Sequence, residues 1–297
     1  MLELALLALP TLTPSARPQD SDPSPAPSAE SQAQDGEAPE HSPLDELDWK
    51  FGPGEGDLAS WARVQIPEGW RFVGPRDTRK LMEMMQNPVT MTETGFLSPP
   101  EMQWFAVFEF DESGYVEDSD KDELDADEML ESLKEGTEAG NEARRERGWA
   151  TLEVLDWEVP PHYDEITHNL EWATRARSSD GGLVINHNTR LLGRRGVMSV
   201  TLVVDPEGLA AALPEFKQAL GGYSFKEGQR YTEFASGDKV AEYGLTALVA
   251  GGAGVVAAKT GLLGKLWKLI LPAVLAVGAF FKKLFGGGKK ETARTRE

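Results

Sequence analysis

Four histidines, no cysteine and a surplus of carboxylates set the chemistry open to this chain. Without thiols there is no thiolate nucleophile, no disulfide and no Cys-ligated zinc or iron–sulfur site. Two histidines fall in the run His162-Tyr163-Asp164-Glu165-Ile166-Thr167-His168, which holds the ligand types of a divalent metal site. On a helix the spacing works against that use, because six residues set His162 and His168 about 240° apart around the axis. The alternative is a turn at Pro160-Pro161 whose side chains cap backbone groups before the next strand.

Between Glu109 and Glu128 stand eleven carboxylates and one cation, Lys121. Asp118-x-Asp120-x-Asp122 opens as a calcium loop does, yet Glu123 stands where glycine is needed and Met129 where a bidentate glutamate belongs. A solvated acidic loop leading into a helix is the reading the sequence favours, with loose calcium binding as the alternative. A third cluster is Asn186-His187-Asn188-Thr189-Arg190, followed by Arg194 and Arg195. In a strand His187 and Thr189 share one face while Asn186, Asn188 and Arg190 share the other. Such a polar face could hold an anionic ligand or a partner's carboxylate; the plainer reading is an exposed sheet face whose arginines pair with surface acids.

The chain has no Gly-x-Ser-x-Gly elbow, and GGAGVV lacks the preceding strand and the Lys-Ser/Thr of a phosphate loop. No catalytic constellation and no cofactor are expected. The pattern favours a binding or scaffold domain; the alternative is a metal-dependent or other enzyme using the His162/His168 region or the acidic loop.

These residues sit on elements that the pattern predicts. Strands are expected at 62–66, 70–73, 103–110, 151–158, 168–177, 183–192 and 196–204. Helices are expected at 76–86, at 125–147 and at 206–220, where Leu209, Leu213, Phe216 and Leu220 share a face. In the second of these, acids open the helix and Arg144, Arg145 and Arg147 close it, which matches the helix dipole. PPHYDE, SSDGG and GRR separate strong strands by short turns, so the neighbours are antiparallel. The fold class is α+β: an antiparallel sheet covered by helices, with a C-terminal membrane helix or helical hairpin beyond it.

The domain spans 44–235. Residues 1–16 read as a possible signal peptide and 17–43 as a disordered spacer rich in Pro, Ser and acids. Residues 240–281 form an apolar stretch and 282–297 a basic tail. The stretch divides into two marginal spans, 240–258 and 262–281, and Ala250, Gly254 and Ala258 in the first offer a small-residue face for another membrane protein. From Lys259 onward nine Lys and Arg meet two acids, whereas residues 1–258 carry 21 Lys and Arg against 47 Asp and Glu. So acidic a body is repelled by nucleic acid, and none is expected as a partner; the expected partner is a lipid bilayer. Lys282, Lys283, Lys289 and Lys290 place the C-terminus in the cytoplasm. A single crossing then puts the domain outside the cytoplasm, at the inner membrane, whereas two crossings put it inside; charge and signal together favour one.

Four stretches carry a resemblance: WFAVFEFDESGYVEDSDKDELDADEML, NEARRERGWATLEVLDWEVPPHYDEITHNLEWA, INHNTRLLGRRGVMSV and YTEFASGDKVAEYGLTALVAGGAGVVAAKTG. Together, over about residues 61–261, they resemble an uncharacterised family of membrane-anchored bacterial proteins, a domain of unknown function. The resemblance implies a membrane location and no activity. The IPEGW turn and the closing helix followed by Tyr-Ser-Phe are similar, more weakly, to small PsbP-type α/β sandwich domains, which implies a helix-covered antiparallel sheet.

Overall fold

An eight-stranded antiparallel sheet organises the chain in a computed structural model that describes residues 42–249. Its strands are β1 (Lys50–Phe51), β4 (Arg71–Val73), β5 (Glu93–Ser98), β6 (Trp104–Asp111), β7 (Leu152–Asp164), β8 (Asn169–Ser178), β9 (Leu183–Leu192) and β10 (Val197–Val204). They lie in the order β1-β4-β5-β6-β10-β9-β8-β7. A smaller sheet orders β11 (Tyr223–Phe225), β3 (Ala62–Ile66) and β2 (Gly54–Leu58). The helices are α1 (Pro75–Met84), α2 (Ala126–Glu146), α3 (Leu209–Leu220) and the short α4 (Leu245–Val249).

Alternation along β6 shows why the large sheet carries a layer on each side. Trp104, Ala106, Phe108 and Phe110 pack with the small sheet and with Phe216 of α3, whereas Phe105 and Val107 join Leu81 and Met82 of α1. Further along the second face, Met129 and Leu133 of α2 and Leu245, Leu248 and Val249 of α4 pack on Trp172 and Leu170. Each buried aromatic of this kind contributes roughly 1.5–3 kcal/mol. With both faces covered, β9 and β10 are buried almost end to end, as strands of a two-sided sheet must be.

The expected α+β antiparallel sheet with helices is what forms, and the strand at 183–192 has the bounds read from its sequence. Three differences have physical causes. The small sheet joins α3 in covering one face, because its strands carry apolar side chains on the side that meets the large sheet. PPHYDE does not separate two strands: β7 runs through Pro160 and Pro161 to Asp164 and turns only at 165–168. Prolines are tolerated there because β7 is an edge strand, and bulges at Val154/Asp156, Trp157/Val159 and Val159/His162 absorb the lost register. The folded body also continues past residue 235, since residues 236–249 pack against it.

Among the described residues no helix is long and apolar enough to cross a membrane. The signal at 1–16, nearly all of the spacer at 17–43, the stretch from Ala250 with Gly254 and Ala258, and the basic tail lie outside the described residues.

Arg144 ties α2 to the end of α1. Its guanidinium, buried in α2, donates to the Gln86 carbonyl (3.0 Å), the Ala150 carbonyl (3.2 Å) and Asn87 Oδ1 (2.8 Å) beyond the end of α1. Burial lowers its pKa to about 10, so it stays charged at neutral pH. Arg144→Met strands these acceptors, and we expect a loss of about 3 kcal/mol in urea-unfolding stability. An unchanged unfolding midpoint would refute that account of the tie.

Candidate functional site

The polar run of β9 lies at the centre of the large sheet. Its faces divide as the alternation requires: Asn186, Asn188 and Arg190 turn towards the helices, His187 and Thr189 towards α3 and the small sheet. The exposure does not follow the sequence reading. Asn186, His187, Asn188, Thr189 and Arg190 are all buried, because a second layer covers each face. The exposed-face reading of this strand is therefore corrected.

On the helix side one rung of the sheet carries Glu93 of β5, Glu109 of β6, Ser199 of β10 and Arg190 of β9 as cross-strand neighbours. Thr90 joins the two acids: its hydroxyl lies 3.0 Å from Glu93 Oε1 and 3.1 Å from Glu109 Oε1, and its N–H donates to Glu93 at 2.6 Å. Thr92 Oγ1 donates to Glu109 at 3.3 Å. The Thr90 hydroxyl has one hydrogen, so it cannot donate to two carboxylates at once. Burial, and then the Glu93 charge, push the Glu109 pKa up, against the opposing pull of Arg190 and the two threonines. A proton held on Glu109 removes both the repulsion and the hydroxyl's conflict. Arg190 lies over the Trp172 ring at 4.6 Å, a cation–π contact in a site already closed to water. Next to it Asn188 accepts from Thr201 Oγ1 at 3.0 Å, while both amide atoms of Asn186 and the Trp172 Nε1 find no hydrogen-bonding partner among the described residues.

On the opposite face Glu171 Oε2 collects three nitrogens: Lys217 Nζ of α3 at 3.2 Å, His187 Nε2 at 3.9 Å and His162 Nε2 at 3.9 Å. Burial holds the His187 pKa down to about 4, with Lys217 and His162 adding to that and Glu171 opposing it. The imidazole is therefore neutral at physiological pH. His187 also lies edge-on to Phe216 at 5.9 Å.

The structure separates the two histidines of the proposed metal run. His162 faces Glu171, while His168 is on the other side of the sheet, with Nδ1 3.1 Å from the Tyr163 hydroxyl and its ring 4.7 Å from Tyr231. Among the described residues no three His, Cys, Asp or Glu side chains are arranged to hold a metal ion. Acids of the run 109–128 act as backbone and hydroxyl acceptors. Asp118 accepts a hydrogen bond from the Tyr163 hydroxyl at 2.9 Å, and Asp125 caps α2 through the N–H groups of Asp127 and Glu128. Asp120 accepts from Leu245 N (3.0 Å), Thr246 N (3.2 Å) and Thr246 Oγ1 (2.5 Å), which caps α4. Burial alone would raise the Asp120 pKa, but these bonds outweigh it and hold it below the usual value.

Arg194 and Arg195 stand apart from the buried cluster, in the β9–β10 turn. The Arg194 fork does hold a carboxylate, that of Asp238 in the same chain, at 2.7 and 2.9 Å; Arg195 is exposed. Asp238 is correspondingly lowered to about 2, first by that bond and then by the Ala235 N–H. Glu93, Glu109 and Trp172 were not singled out from the sequence. The signal in reach was Glu109, a charge at a core-facing position of the otherwise apolar QWFAVFEF.

This chain belongs to a protein family of unknown function, DUF2167, whose profile matches residues 50–281. None of the curated proteins matches it significantly. Among solved structures it is similar to cyanobacterial PsbP (CyanoP) from Synechocystis sp. PCC 6803, at 12% identity and a TM-score of 0.36, over 58% of this chain and 92% of that one. It is also similar to the Ran-binding protein Mog1p of Saccharomyces cerevisiae, at 12% identity and a TM-score of 0.30, over 63% and 100%. Likenesses this distant have no bearing on activity.

His187 and Glu109 give opposite pH signatures. Unfolded, a histidine takes up its proton near pH 6.5; folded, His187 does so only near 4. Stability should therefore drop as pH falls through that window, by up to about 3 kcal/mol. We expect His187→Gln to flatten the drop between pH 6.5 and 4 in denaturant titrations; an unaltered slope would contradict it. Glu109 runs the other way: with its folded pKa raised, the cost of ionising it is present at high pH and vanishes below the usual carboxylate range. Glu109→Gln should accordingly be more stable than wild type at pH 8, and the gain should shrink towards pH 4. A gain that does not vary with pH would show that Glu109 is not the titrating group.

Proposed function

We propose that this chain is a binding or scaffold domain, attached to the inner membrane by its apolar C-terminal stretch, with the acidic body outside the cytoplasm. One observation carries the reading: the segment that leads into the apolar stretch is built into the body. Tyr231 stacks on Tyr115 at 4.4 Å, Phe234 stacks on the same ring at 4.2 Å, and Tyr115 pairs with Val240 through the backbone. Tyr243 donates to Asp111 at 2.9 Å, Arg194 holds Asp238, and Asp120 caps α4. Flexible tethers are rich in small polar residues and make few such contacts. A body mounted this firmly presents its surfaces to partners at a set orientation, which suits a scaffold more than a freely diffusing enzyme.

Protease added to intact spheroplasts should digest the body and spare the basic tail, with the protein remaining in carbonate-washed membranes. A protein recovered in the soluble fraction would overturn the attachment, and a protected body would overturn the single crossing. The mount has its own check. In limited proteolysis, at doses too low to cut the wild-type body, Asp120→Ala should open a cleavage site between residues 235 and 249; cleavage no faster than in wild type would show that Asp120 does not hold the junction.

A further inference from the structure

The molecule has two ends, set by the strand directions. One carries the β7–β8 turn at 165–168, the β9–β10 turn at 193–196, the loop after β6, and the segment 226–244, joined by Gly114 N to the Arg195 carbonyl (3.0 Å), Arg194 N to the Gln229 carbonyl (2.9 Å) and the Gly193–Arg230 bridge. Four of the chain's five tyrosines, Tyr115, Tyr163, Tyr231 and Tyr243, are gathered at this end, where Tyr115 and Tyr231 stack in a row with Phe234. Three large apolar side chains beside them lie open to solvent: Ile166 at 92% exposure, Val240 at 42% and Phe234 at 39%. Ile166 is two residues from His168, whose ring meets the tyrosine row at Tyr231.

Exposed apolar residues also occur at the other end, at Phe51, Met84 and Leu183, so their presence alone decides nothing. Two things distinguish the first end. It holds the tyrosines, which favour the boundary between apolar and wet phases. It also holds the segment that precedes the apolar stretch: α4 is capped by Asp120 and packs with Met129 and Leu133 in the first turns of α2. The acids flanking Ile166 are already engaged, Asp164 with the Ile166 and Thr167 N–H groups and Glu165 with Lys121.

We propose that this end rests on a phospholipid bilayer, with Ile166 at the tip of the β7–β8 turn and Phe234 at the tip of the aromatic row reaching the interfacial zone. The proposal rests on the membrane attachment argued above and adds to it which face meets the lipid. The contact is apolar rather than electrostatic, since Glu112, Glu117, Asp122, Glu123 and Glu242 accompany the few bases here. Zwitterionic lipid therefore suffices.

The absence of cysteine makes the test direct, because any introduced thiol is the sole labelling site. Ile166→Cys, Phe234→Cys and, in the opposite β8–β9 turn, Asp180→Cys are labelled with an environment-sensitive dye in the full chain and reconstituted into phosphatidylcholine vesicles containing brominated lipid. We expect the dyes at 166 and 234 to shift to the blue and lose most of their emission, and the dye at 180 to do neither. A chain that floats with the vesicles but shows no quenching at 166 and 234, or equal quenching at all three, overturns the docking face alone. A chain that does not float with the vesicles overturns the attachment beneath it.

Discussion

A central strand with polar side chains on both faces, sealed by layers on either side, is the constraint around which this molecule is organised. Each buried polar atom left without a partner costs about 1–3 kcal/mol, so β9 commits its surroundings. Thr201 answers Asn188, Trp172 lies under Arg190, and Glu171 lies beside His187. Apolar side chains would fold as readily there, and the layers on both faces would be easier to build. Polar groups kept in such a position fix one arrangement of the sheet against its neighbours, since any slip in register would move charges into apolar surroundings.

How far the sequence showed this depended on whether the cause was local. The β9 strand was legible to the residue, and so were the opposite faces of His187 and Asn188, because alternation is a property of the strand itself. Its burial was not, since that follows from a small sheet whose strand β2, GEGDL, has no strand-like composition. Gly56 is there because a Cβ would lie 2.8 Å from the Phe72 ring, and Gly95 in the equally unforeseen β5 because a Cβ would lie 2.6 Å from Leu58. Glycines placed for close approach between two sheets look, in sequence, like glycines of a loop.

The acidic run teaches a related point. Read as a string of charges it is a solvated acidic loop with a cation loop as the alternative; folded, Asp118, Asp125 and Asp120 are spent on a tyrosine hydroxyl, a helix start and the α4 cap. Carboxylates are good acceptors for exposed backbone N–H groups, and a region that must receive a returning chain segment has many of those. The same separation undid the histidine run, where two side chains six residues apart ended on opposite faces of a sheet.

The large sheet has two free edges, and both are poor templates. At one, β1 is only two residues long; at the other, Pro160 and Pro161 remove two donors from β7, which bulges three times along its length. Edges of this kind resist the strand-to-strand joining that seeds fibrils. Molecules of this kind crowded side by side therefore meet at edges with too few aligned donors and acceptors to extend one sheet into the next.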